Sequence, residues 1–295
     1  MELSNYRLKV IINFINLNKD IRYDDNISDI YLIDKINYLK DIIFKLINNL
    51  GNNLVNSILF QKSNYSNTYG IIINIHTSND ITNSEEYINK LYGAVQDPEL
   101  VIFGYNNNNV KYLSFNNQII NKYYDFEWKI SMTSFMQTHP NNHKAIHNVI
   151  DEYIRKGDNY YFYGLGGESG VYQKQFKYNH YKCFTDSSSI YNDNISNNIN
   201  TNLVDYNSLK LDDYIINSND NILLINIGIK GLKELSDQII NLDFKQIIYI
   251  GCSYNYIEKD LKILTNKFDI DKKFTFNNNN DINIYVLFLI PKTLK

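Results

Sequence analysis

The chain has 295 residues, 44% of them hydrophobic and 21% charged, a balance that suits a globular protein with a sizeable core and two domains. Its net charge is −3 and its only arginines are Arg7, Arg22 and Arg155, so it lacks the basic excess and the guanidinium forks with which a protein grips nucleic acid unaided. Two cysteines exclude a disulfide framework, no apolar stretch approaches about 18 residues, and Met1 to Arg7 lack a signal-peptide pattern, which together predict an intracellular, cytoplasmic protein with no membrane span.

Asn, Ile and the 26 tyrosines dominate the composition, so Asn serves as filler as well as a turn residue. Val10 to Ile15 reads as a helix or a strand. From Ile30 to Leu50 the apolar residues Leu32, Ile36, Leu39, Ile42, Ile43, Leu46 and Ile47 recur at helical spacing and stop at Gly51. Asn56 to Gln61 and Gly70 to His76 predict a hairpin, Ser84 to Tyr92 a helix, and Leu100 to Tyr105 and Val110 to Phe115 two further strands. This block reads as a small α+β domain over residues 1–125 with a helical N-terminal segment, and Phe126 to Phe135 as a bridge. His139 to Lys156 is helical by pattern. Strands follow at Asn159 to Tyr163, Tyr181 to Thr185, Ile222 to Ile227, Gln246 to Ile250 and Ile284 to Ile290, most of them separated by helical patterns. Alternation of this kind predicts an α/β, Rossmann-like domain over residues 126–295, with a mostly parallel, doubly wound sheet. The asparagine runs at 106–109 and 277–280 read as low-complexity loops.

Sheets of that kind bind ligands at the carboxyl ends of their strands. Four features emerge there: a glycine-rich turn at Gly164-Leu165-Gly166-Gly167, Asp186, Asn226, and Cys252 after the apolar run Ile247 to Ile250. Bare glycine backbone admits a nucleotide-like cofactor, and an acid ending the next strand suits ribose hydroxyls, so the pair points to S-adenosylmethionine or a dinucleotide, with helix–strand packing as the alternative use of the glycines. A thiol between a strand end and a helix is how an α/β protein presents a nucleophile. His139, His143, His147 and Asp151 follow one another at four-residue spacing, but no motif completes a metal site, so no metal is assigned and an exposed helix face is expected. Cys183, inside a strand, reads as a small core residue.

Taken in order, several segments resemble one family, the S-adenosylmethionine-dependent RNA uracil-C5 methyltransferases that make 5-methyluridine in tRNA and rRNA. Ser134-Phe135-Met136-Gln137-Thr138-His139 is similar to the family's Ser-Phe-x-Gln-x-Asn segment. Tyr161 to Gly167 looks like its acid-Leu-Tyr-Cys-Gly-x-Gly loop. Ile225 to Leu232 sits where Asp-Pro-Pro-Arg-x-Gly-Leu is expected, and Tyr249 to Tyr254 resembles Tyr-x-Ser-Cys-Asn-Pro. Asn283 to Leu289 takes the place of the terminal strand that carries a glutamate. The match is one of order and spacing from about residue 30 to residue 292; no motif is intact.

The resemblance implies a thiolate attacking C6 of uracil, methyl transfer to C5 and removal of the C5 proton by a carboxylate. It makes Cys252 the nucleophile and places Gln137, Tyr163, Gly164, Gly166 and Gly167 along the cofactor, with Asp186 at its ribose. It also exposes departures. The acid that holds the target base is replaced by Asn226, the general base by Asn283, and the acid before the glycines by Tyr161. Losing a general base costs roughly 10²–10⁴-fold in rate. The expectation is a divergent, catalytically impaired relative working as a binding or scaffolding subunit in RNA processing, with RNA and a protein as partners. The alternative is an active RNA methyltransferase that uses Cys252.

Overall fold

The structure, a computed structural model, describes residues 9–14, 21–22, 34–35, 37–39, 41–42, 55–75, 81–107, 109–134, 140–216, 218–227, 231–252, 254–278 and 282–292. The chain divides into two compact units, Met1–Met132 with Thr138–Pro140, and Thr133–Gln137 with Asn141–Lys295.

In the first unit, β1 (Lys9–Phe14), β2 (Ile21–Arg22), β3 (Val55–Lys62), β4 (Tyr69–Ile75), β5 (Leu100–Asn107) and β6 (Asn109–Tyr112) form a six-stranded sheet in the order β2-β1-β3-β4-β5-β6. The β-branched run at Val10 to Ile12 settles the open choice there as strand: it pairs antiparallel with β3. β3 and β4 form the expected hairpin. β4 and β5 run parallel, which requires a crossover, and helix α1 (Ile81–Ala94) supplies it. α1 contributes Tyr87, Ile88 and Leu91 to a core with Phe60, Ile71, Ile73 and Phe103. The segment expected to bridge the halves is instead strand β8 (Phe126–Ser131), paired with β7 (Gln118–Tyr123). Its alternation puts Trp128 and Ile130 inside and Glu127 and Lys129 outside, a period of two that the short polar interruptions hid.

The second unit holds helix α2 (Pro140–Tyr153), β9 (Tyr161–Gly166), α3 (Ser169–Phe176), β10 (His180–Thr185), α4 (Ser188–Ser196), β11 (Thr201–Leu203), β12 (Asn221–Asn226), α5 (Leu235–Asn241), β13 (Gln246–Gly251), α6 (Tyr254–Leu264), β14 (Phe268–Asn278) and β15 (Ile282–Pro291). The seven strands take the order β11-β10-β9-β12-β13-β15-β14. The first five are parallel, and β15 enters antiparallel to both β13 and β14. The mostly parallel α/β sheet expected from the sequence is present. Two strands were not foreseen. β11 is three residues long, and β14 extends through Asn277 to Asn278, into what reads as an asparagine loop.

β12 and β13 are buried along their whole length, as strands covered on both faces must be. Leu223, Ile225, Ile247, Tyr249, Leu287 and Leu289 face α5 and α6 through Leu235, Ile239, Ile257 and Leu264. The pleat turns Phe162, Ile248 and Phe288 to the opposite face, where Tyr153 of α2 meets Phe288 at 5.7 Å and Tyr178 stacks on Phe162 at 5.0 Å. The Gln246 side chain fastens the end of α2, donating to the Tyr153 carbonyl and accepting from the Arg155 amide, both at 2.9 Å. Cys183 is fully buried in β10. Among the described residues no helix is long and apolar enough to cross a membrane.

Candidate functional site

The parallel strands finish along one edge of the sheet, and that edge carries most of the side chains singled out from the sequence. β9 ends at Gly166, β10 one residue before Asp186, β12 at Asn226 and β13 one residue before Cys252. Asn283 lies two residues from Tyr285, which pairs with Gly251, so it belongs to the same edge. Gln137 falls outside the described residues.

The glycine segment is strand through Gly166, and the turn is Gly167-Glu168. The glycines differ in what they do. A Cβ on Gly164 would stand 2.5 Å from the Ser169 Cβ, so this glycine lets α3 lie close on β9. Gly166 has φ +87°, and a Cβ there would stand 2.2 Å from the Asn226 carbonyl oxygen and 2.8 Å from its carbon. Only glycine meets both conditions. The Gly167 amide donates to that same carbonyl at 2.9 Å, and Ser169 Oγ donates to the Gly166 carbonyl at 2.8 Å. The turn is thereby strapped across β9 and β12, with bare backbone at the crevice.

That crevice is where chain order reverses: β10 and β11 lie to one side of β9, β12 and β13 to the other. It is the place at which doubly wound sheets take ligands. Asp186 is exposed at the next strand end. Asn226 is 5% exposed, and its Nδ2 has no hydrogen-bond partner among the described residues. Tyr163 is in the core of β9, with its hydroxyl accepting from the Ile216 amide at 3.2 Å.

Cys252 is half-buried at the tip of β13. Burial raises its thiol above the ordinary value, offset in part by its own backbone amide. That is opposite in sign to the lowering that activates a nucleophile. Asn283, paired with Asn277 across the β14–β15 ladder, is an amide and offers no basic oxygen to a C–H proton at neutral pH.

Sequence reasoning passed over Asp260. Its Oδ2 accepts from the Leu232 amide at 2.8 Å and from the Tyr249 hydroxyl at 2.6 Å, holding the segment after β12 against β13. Burial raises its carboxyl despite those hydrogen bonds. The signal was present in the chain: Ile257, Asp260 and Leu264 share one helical stripe, so this acid stands in an apolar row. A second group also went unnoticed. The Tyr254 and Tyr285 rings lie 5.6 Å apart beside Cys252, and Lys273 Nζ sits 5.5 Å and 5.7 Å from their centroids.

No family model and no curated protein matches the chain. Solved structures do. A tRNA (uracil-54, C5)-methyltransferase of Pyrococcus abyssi, in complex with S-adenosyl-L-homocysteine, superposes with a TM-score of 0.67 over 98% of this chain and 76% of its own, at 13% identity. Trm5 of Methanocaldococcus jannaschii, in complex with adenosine, gives 0.51 over 94% of this chain and 82% of its own, at 12% identity. The chain has the mixed α/β fold of these methyltransferases, with its mostly parallel central sheet.

Proposed function

We propose that the protein is a divergent, methyltransferase-like RNA-binding protein that holds S-adenosylmethionine at the Gly166–Gly167 crevice, has lost uracil-C5 chemistry, and serves as a binding or scaffolding subunit in RNA processing. The observation that carries this reading is a contrast within one sheet edge. Supporting the cradle are backbone that tolerates no side chain at Gly166 and a buried Asn226 amide with no hydrogen-bond partner among the described residues. Against uracil-C5 chemistry stand the burial that raises the Cys252 thiol and the amides at both acid positions. Gly166, Gly167 and Asp186 would hold the cofactor, whose role when bound is to offer an electrophilic methyl group. Tyr254 and Tyr285 offer ring faces on which a base can stack, with Lys273 for the backbone, so RNA binding stands on aromatic contacts more than on net charge.

The half-buried position of the Cys252 sulfur supports the second reading, an active enzyme with that thiol as nucleophile. One experiment separates them. The full chain is titrated calorimetrically with S-adenosylmethionine and its demethylated product, then incubated with 5-fluorouracil-substituted RNA at mildly alkaline pH. The proposal expects cofactor binding near about 10 μM and no covalent adduct. An adduct formed by the wild type and absent from Cys252→Ala establishes the active enzyme instead. No heat of binding at millimolar cofactor removes the cofactor half of the proposal.

A further inference from the structure

His143 and His147 lie one turn apart on α2, and the structure departs from the exposed helix face expected of them. His147 is 1% exposed. Asp151, the acid in the same four-residue series, is exposed and paired with Lys156 at 2.6 Å, and His139 falls outside the described residues. The acid that does meet the histidines comes from the turn after β9. Glu168 has φ 60°, and this left-handed backbone accompanies a side chain that is 4% exposed with Oε1 3.2 Å from His143 Nε2. Despite that approach, neither Glu168 oxygen accepts a hydrogen bond among the described residues. A carboxylate so placed calls for a compensating positive charge.

From this geometry we infer that His143, His147 and Glu168 form a binding site for one divalent transition-metal ion of the zinc class. The three residues each offer one ligand atom, and these atoms lie within 4.8 Å of one another. Ligands about 2.0–2.1 Å from a tetrahedral zinc stand about 3.4 Å apart, so the His143–Glu168 edge is already set and the remaining edges close with small rotations. Two imidazoles and one carboxylate are a donor set that zinc favours, and three protein ligands leave a fourth position for water or an incoming group. The surroundings orient the ligands. His147 Nδ1 is 3.2 Å from Gln175 Oε1, an acceptor that places the proton on Nδ1 and leaves Nε2 as the lone-pair atom. The His147 ring stacks on Tyr172 at 4.3 Å with 22° between the planes, which fixes its tilt. The site adjoins the glycine turn by a single residue, because Glu168 follows Gly167 directly.

The test uses the full chain without a histidine tag, stripped by chelator and titrated with Zn²⁺ by calorimetry and with Co²⁺ by visible absorption. One Zn²⁺ per chain is expected, with a Kd below about 1 μM, together with the ligand-field bands of a low-symmetry four-coordinate Co²⁺. Glu168→Gln and His147→Asn are each expected to weaken binding by more than about 100-fold, and Gln175→Ala, which touches only the orienting bond, by about 10–100-fold. Asp151→Asn leaves the titration unchanged. Far-UV dichroism in chelator confirms that each variant is folded. A stripped wild-type chain that takes up no stoichiometric Zn²⁺ overturns the proposal without reference to any variant, and so does a folded Glu168→Gln that binds as the wild type does.

Discussion

Replacing Gly166 by alanine tests the strapping of β9 to β12 at its tightest point. A side chain at φ +87° leaves the allowed wells of an L-residue, a cost of about 1–2 kcal/mol. The added Cβ, 2.2 Å from the Asn226 oxygen, meets backbone held in a parallel ladder on both sides, so the ladder must open. Opening it lengthens the 2.9 Å bond from the Gly167 amide, worth about 0.5–1.5 kcal/mol. The expected loss for the second unit is about 1.5–3.5 kcal/mol, read by urea denaturation followed by circular dichroism. Affinity for the demethylated cofactor product should fall at least about tenfold, since 1.4 kcal/mol of misfit at the crevice suffices for that. Gly93 is the control. A Cβ there meets nothing within 4 Å, and its place near the end of α1 makes Gly93→Ala neutral or stabilising by about 0.5–1 kcal/mol. A Gly166→Ala variant within about 0.5 kcal/mol of wild type, with unchanged cofactor affinity, would refute the account of this crevice.

Asp260→Ala strands the Leu232 amide and the Tyr249 hydroxyl and should cost about 2–4 kcal/mol, whereas Asp260→Asn retains an acceptor and should cost less than about 1.5 kcal/mol; equal losses in denaturation would mean that the hydrogen bonds are not what matters. The folded carboxyl of Asp260 is raised above 3.8, so the folded chain holds that proton more tightly than the unfolded chain. Its contribution is full at pH below 3.8 and is lost as pH rises through the folded value, and Asp260→Asn should flatten this part of the stability profile. Because burial raises the Cys252 thiol, its alkylation by iodoacetamide should accelerate only at pH above the about 8.5 of a free cysteine; a midpoint below that would point to an activated thiolate. Tyr254→Ala and Lys273→Ala should each weaken binding of single-stranded RNA in a filter assay, the first by about 1–3 kcal/mol, and an unchanged affinity in both would remove the stacking role from this edge.

Legibility in the sequence followed the range of the interaction. The hairpin of β3 and β4, helix α2 and the strands β10, β12 and β13 were readable because apolar periodicity is a property of neighbours in sequence. β8 and β14 were not, since both carry polar residues on an exposed face and gain their strand character from pairing with a partner. The glycine segment was visible as composition, but the limit between strand and turn was misplaced: Gly164 and Gly166 pair in the ladder with Leu224 and Asn226. Asp260 was overlooked because its partners, Leu232 and Tyr249, lie 28 and 11 residues away.

The sequence by itself determined an alternation of strands and helices that admits a mostly parallel sheet, and therefore an edge at which Gly166, Asp186, Asn226 and Cys252 emerge. Backbone periodicity and short apolar runs are local, and they suffice for that. The tertiary structure alone decided what those positions are able to do. Gly166 is obligatory because a carbonyl from β12 occupies the space a side chain would need, and burial by its surroundings raises the Cys252 thiol. His143, His147 and Glu168 converge because a helix and a turn from different parts of the chain pack together. Steric exclusion, desolvation and ligand convergence act through space between residues distant in sequence, and no local pattern encodes them.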